Sequence, residues 1–185
     1  MLTKTLDNQA TGEGLYGERG WTTKRAIANL LAPYQSNSLG RSHTPQSETK
    51  ELPSFSTFSG LGAVAAEQLR HNLTAANLKD RQNLGPRCDE LLDIAVDNPN
   101  EIRLHGYAVG PARYDERVTI EGLWVAGFSE YEIDLAHGEE CDCEDLWDTI
   151  SEYYGIVTAL APPDEIWPMS GPFEPWQSGW WLWWD

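Results

Sequence analysis

Two stretches near the middle of the chain decide its fold: Glu101-Ile-Arg-Leu-His-Gly-Tyr-Ala-Val109 and Arg117-Val-Thr-Ile-Glu-Gly-Leu-Trp-Val-Ala126. In the first, Ile102, Leu104, Gly106 and Ala108 alternate with Arg103, His105, Tyr107 and Val109. A period of two is the mark of a strand with one face in the core. In the second, Val118, Ile120, Gly122 and Trp124 fall on one side. Gly110-Pro111-Ala112 interrupts the pattern between them. The gap is too long for a two-residue turn, so the pair predicts an antiparallel hairpin with a longer loop.

Outward from this hairpin the pattern turns helical. Residues 89–96 read as a short helix with Leu91, Leu92, Ala95 and Val96 inward, stopped by Asn98-Pro99-Asn100. Residues 131–135 are a third strand candidate. Residues 144–154 predict a helix ended by Gly155, and 156–160 a strand or a helix exit. A proline-rich crossing follows, and the chain closes on Gly179-Trp-Trp-Leu-Trp-Trp-Asp185. Each Trp can bury about 200 Å². Alternation puts Trp180, Leu182 and Trp184 on one side and Trp181 and Trp183 on the other. That is a strand closing the sheet; the competing reading is an exposed aromatic platform of Trp180, Trp181, Trp183 and Trp184. The fold class expected is α+β: a small antiparallel sheet packed against one or two helices, over residues 88–185.

The remainder is different in character. Residues 1–60 are rich in Ser, Thr, Asn, Gln and Gly, with too little apolar surface to offset ordering entropy. They predict a mobile polar tail, relieved by one short helix at 23–31, where Thr22 caps and Ile27, Leu30 and Leu31 form a stripe. Residues 61–87 predict a basic amphipathic helix and linker. Its alanines favour helix, with Val64, Leu69, Leu73, Ala76 and Leu84 on the apolar face and Arg70, His71, Lys79 and Arg81 on the polar one. That basic face is expected to dock on the acidic domain behind it.

Charge divides the chain as sharply. The 185 residues carry a net charge of −16, with 13 Lys and Arg against 29 Asp and Glu. Residues 1–87 hold ten basic and seven acidic residues, net +3; residues 88–185 hold three and 22, net −19. Eight of the nine tryptophans share the acidic part. Direct binding to nucleic acid is disfavoured, because such a chain repels phosphate. No apolar run approaches the roughly 18 residues of a membrane span, and residues 1–14 show no apolar core of a signal peptide. Three cysteines are an odd and small number, so a reducing, cytoplasmic setting is expected rather than a disulfide framework.

Three constellations could carry function. Glu144, Asp148 and Glu152 are four apart, so they line one helix face about 6 Å apart. No Lys or Arg lies in 141–154 to relieve their repulsion. With Glu130, Glu132, Asp134, Glu139 and Glu140 they would imitate a phosphate path and occupy the basic groove of a nucleic-acid-binding protein. The second constellation is His137-Gly-Glu-Glu-Cys141-Asp-Cys143, which with Cys88 could supply a Cys₃His zinc site, although the spacing is C-x-C rather than C-x₂₋₄-C. Lying just before a helix N-terminus, its thiols are expected to have lowered pKa values. The third pairs carboxylates with aromatics, as in carbohydrate binding or glycoside hydrolysis. No nucleophile–base pairing or phosphate loop is identifiable. The leading expectation is therefore a non-enzymatic acidic interaction module with no cofactor, of the kind mobile elements such as phages or plasmids use as DNA mimics that inhibit host defence. A small zinc-binding domain and an aromatic ligand-binding or hydrolytic domain are the alternatives.

Overall fold

A computed structural model describes residues 12–35, 51–134, 141–171 and 177–185. In chain order the elements are β1 (Glu13–Gly14), β2 (Gly17–Glu18), α1 (Trp21–Lys24), α2 (Ile27–Leu31), β3 (Ser56–Leu61), α3 (Ala63–Asn72), α4 (Ala75–Leu78), α5 (Cys88–Asp97), β4 (Ile102–Val109), β5 (Arg117–Ala126), α6 (Cys143–Tyr154), β6 (Glu165–Ser170) and β7 (Ser178–Trp183). β1 and β2 make a small antiparallel ribbon. The other five strands form one antiparallel sheet in the order β3-β4-β5-β7-β6. The fold is α+β, as the alternating stretches predict.

The β4–β5 hairpin is the centre of the sheet. Its inner face carries Ile102, Leu104, Ala108, Val118, Ile120, Leu123 and Val125, all buried. A bulge at Glu121 shifts the register between His105↔Gly122 and Gly106↔Ile120, which keeps the apolar side of both strands inward on either side of it. β7 completes the centre, with Trp180, Leu182 and Trp184 buried. β6 and β3 are the two edges. Pro168 is accommodated in β6 because an edge strand can spare one N–H. The sequence pattern does not announce β3 or β6: β3 buries Phe58 and Leu61 within a polar run, and Gly60, at φ +77°, bends it at a register shift.

α3, α5 and α6 cover the inner face. α5 buries Leu91, Leu92, Ile94 and Ala95, and Asp89 and Glu90 in its first turn suit the helix dipole. The helix expected within 61–87 is broken into α3 and α4. Leu73 is extended, and the Thr74 hydroxyl caps α4 by accepting from the Asn77 N–H at 3.1 Å. Of the residues assigned to the apolar face by spacing, Leu69 and Leu73 are buried but Val64 is 74 % exposed; Ala65 and Ala66 face the core in its place. The basic residues of this region do pair within the chain: Arg70 with Asp93, and Lys79 and Arg87 with Asp89.

The expected tail, 1–60, contributes its described parts to the same core. Trp21, Ile27 and Leu31 are buried in it. The anchor is Glu116, 1 % exposed in the β4–β5 loop, which accepts from the Gly20 N–H (2.6 Å), the Thr22 N–H (2.8 Å) and the Thr22 hydroxyl. Charge-assisted bonds of this kind add to the burial of Trp21, Ile27 and Leu31 in holding the segment. The remaining residues of 1–60 lie outside the described ones.

The strand expected over 131–135 does not form among its described residues, and 156–160 is the helix exit rather than a strand. The described residues 131–134 have no regular structure; the Glu132 N–H and carbonyl both bond to Asp142, just before α6, and the Tyr131 hydroxyl bonds to Thr149 within it. Residues 156–160 are irregular as well: the Glu90 carboxylate accepts from the Val157 and Thr158 N–H groups and the Thr158 hydroxyl, so side-chain acceptors replace a ladder.

Candidate functional site

α6 is amphipathic in the plainest way. Leu146, Trp147 and Ile150 are buried on one side, where Trp147 meets Trp184 edge-on at 5.5 Å. Glu144, Asp145, Asp148 and Glu152 are therefore forced outward, and all four are exposed. Gly155, at φ +68°, closes the helix in the left-handed conformation its position requires. Among the described residues, no Lys or Arg forms an ion pair with these four acids. The ion pairs sit elsewhere, on Glu18, Asp89, Asp93 and Asp115.

The loop 130–134 is fastened alongside. The Tyr131 hydroxyl lies 2.6 Å from the Thr149 hydroxyl on α6. The Glu132 N–H donates to the Asp142 carboxylate at 3.0 Å, and the Asp142 N–H returns a bond to the Glu132 carbonyl. This use of Asp142 explains why it does not cap the helix that it precedes. Exposed Glu130, Glu132 and Asp134 are thus brought beside the α6 acids. Glu139 and Glu140 lie outside the described residues.

Beyond the C-terminal end of this ridge the chemistry changes. Tyr153, 66 % exposed, meets Phe128 and Tyr154 edge-on at 5.7 and 4.8 Å. The Tyr154 hydroxyl donates to Glu101 at 2.9 Å, and burial together with that carboxylate raises its pKa. Tyr153, Tyr154, Glu130, Glu101 and Arg103 line an open cleft of about 850 Å³. The exposure of Tyr153 beside an acidic helix suits an interface anchor.

Of the four candidate zinc ligands, the described residues include Cys88, Cys141 and Cys143. Cys141 and Cys143 bring their sulfurs to 2.6 Å, but Cys88 is buried at the start of α5 and His137 lies outside the described residues. Among the described residues no three His, Cys, Asp or Glu side chains are placed to hold a metal. Nor is the Cys143 thiol activated: burial, its bond to Cys141 and the Asp142 charge push it up to about 12, against the lowering expected of a helix N-terminus. Burial likewise raises Cys88.

The terminal tryptophans divide between two faces. Trp180 and Trp184 are core residues whose indoles donate to the carbonyls of Phe128 and Ala161. Trp181 and Trp183 are half-exposed on the outer face of the sheet, where Trp167 of β6 joins them, 45 % exposed and paired with Trp181. The sequence reading missed Trp167, because Pro168 hid the strand that carries it. The chain matches no protein family, no curated protein and no solved structure.

Proposed function

We propose that the protein is a non-enzymatic acidic interaction module. Its α6 ridge and the adjoining loop dock in the basic groove of a nucleic-acid-binding protein and stand in for the phosphate path. The observation that carries this reading is the unrelieved acidic face: Glu144, Asp145, Asp148 and Glu152 are exposed, and no described cation pairs with them. Like charges at i, i+4 cost a helix about 0.2–0.5 kcal/mol per pair. A face kept at that cost is best explained by a partner that supplies the missing cations. Duplex DNA carries a charge about every 1.7 Å of its axis, which one helix cannot match. Glu130 and Glu132 add a second row beside the first, and Tyr153 offers an aromatic contact at its end.

The test is capture from lysate at low salt followed by displacement. Proteins held through the ridge should be released by added duplex DNA and by rising ionic strength. The E144K/D148K/E152K variant, with an unchanged far-UV spectrum, should lose at least about 100-fold in affinity. A captured set that DNA fails to displace, or that the triple variant retains, overturns the reading.

A further inference from the structure

We propose that the outer face of the sheet carries a separate receptor for a quaternary ammonium group, on the side opposite α6. Its floor is Trp181, whose seat on the sheet depends on two glycines. A Cβ at Gly122 would stand 2.3 Å from the His105 ring, and one at Gly179 would stand 2.7 Å from the Trp124 ring. Leaving these two positions without side chains lets His105 lie across β5 and stack on Trp181, with centroids 3.3 Å apart and planes within 10°. The Trp124 indole, seated over Gly179, donates to the Met169 carbonyl. Trp181 is therefore fixed from one side by an imidazole that is 2 % exposed.

Against this floor, Trp167, Met169, Pro168 and Glu165 line a shallow cavity of about 360 Å³. Its polar side chain is the Glu165 carboxylate, held at its mouth by a 2.8 Å bond from the Trp167 indole. Charge complementarity selects the occupant. Indole faces carry negative potential and attract cations, Glu165 adds a full negative charge, and no described lysine or arginine lines the cavity. A plain ammonium or guanidinium must give up water from its N–H donors to lie against the rings, and one carboxylate already engaged by an indole replaces little of it. An alkylated nitrogen has no such donors and presents methyl groups to the rings and to the Met169 thioether. The same shortage of polar partners disfavours a sugar, whose hydroxyls need more acceptors than Glu165 provides.

Tetramethylammonium is the probe, followed by tryptophan fluorescence and indole N–H chemical shifts on the full chain. Saturable binding is expected, with the uncharged analogue 3,3-dimethylbutan-1-ol at least tenfold weaker. W167A and E165Q should each weaken binding about three- to fivefold; Trp167 is exposed enough that the fold survives, and W167F should restore part of the loss. Choline and free Nε-trimethyllysine distinguish a small metabolite from a modified side chain as the source of the group. Equal binding of the neutral analogue, a response to maltose or cellobiose instead, or no response to any ammonium ion overturns the proposal. The α6 charge-reversed variant should bind tetramethylammonium as the parent does, so this site and the acidic ridge stand or fall separately.

Discussion

His105 shows how much one residue can be made to bear. It sits on the polar side of an alternating strand, yet it is buried, and neither ring nitrogen has a partner among the described residues. Burial pushes its pKa down to about 3, while in the unfolded chain it titrates near its usual value of about 6.5. The unfolded state thus binds the proton first. The stability tied to neutral His105 is complete above about pH 6.5 and falls as the pH drops toward 3, by at most about 1.4 kcal/mol per unit. His105→Phe keeps a ring against Trp181 and removes the titration. Urea unfolding at pH 7.5 and 5 should show the parent losing about 2 kcal/mol more than the variant. Equal losses would mean that the ring is hydrated after all. Asp115 acts lower on the scale. The Arg113 and Arg117 guanidiniums hold it down to about 2, so its contribution is complete above about pH 4 and lost as the pH falls from there through 2. It leaves the comparison at pH 5 untouched.

At the scale of elements, α6 trades stability for its charge. Asp148 has a like charge four residues away on each side, at Glu144 and Glu152. Asp148→Asn relieves both repulsions and should raise the unfolding free energy by about 0.4–1 kcal/mol, read as a higher urea midpoint at constant m-value. A lower midpoint would show that the face is supported by something within the chain. The helix was legible almost to its ends, because a buried Leu146-Trp147-Ile150 stripe and a terminal Gly155 are strong signals. The hairpin was legible for the same reason, through its alternation. What escaped were elements held by other means. β3 and β6 are edges, where half the backbone needs no partner and a polar run or a proline does no harm. The Glu132 N–H goes to the Asp142 carboxylate and the Val157 and Thr158 N–H groups to that of Glu90, and no periodicity foretells a side-chain acceptor. The break at Thr74 was written in its capping hydroxyl, but the alanines around it carried the opposite message. The acidic ridge was half legible: spacing aligned Glu144, Asp148 and Glu152, whereas the docking of Glu130 and Glu132 beside them depends on tertiary contacts.

For the whole molecule the governing quantity is a charge of −16 set against cations that are already committed. Every described lysine and arginine is engaged within the chain. Lys24, Arg70, Lys79, Arg87, Arg113 and Arg117 meet carboxylates, while Arg19, Arg25, Arg81 and Arg103 donate to backbone carbonyls. Arg19, Arg70, Lys79 and Arg81 reach from the first half onto the second, and none of the described cations meets an α6 acid. Salt should therefore act in two opposite directions. Raising it shortens the screening length from about 30 Å at 0.01 M to about 3 Å at 1 M. The surface pairs lose little, since exposed ion pairs are worth at most about 1 kcal/mol each, whereas long-range repulsion among the excess carboxylates is largely removed. The Tm of the free chain should rise by several degrees over that range, corresponding to about 1 kcal/mol. Complex formation with a basic partner should weaken over the same range, because there the long-range field is the attraction itself. The charge-reversed E144K/D148K/E152K variant separates the two effects: with six units of negative charge removed, its Tm should depend less steeply on salt than that of the parent. A parent Tm that falls as salt rises would show that the chain is held together by its own ion pairs, and that the carboxylates of α6 do not add up to one field.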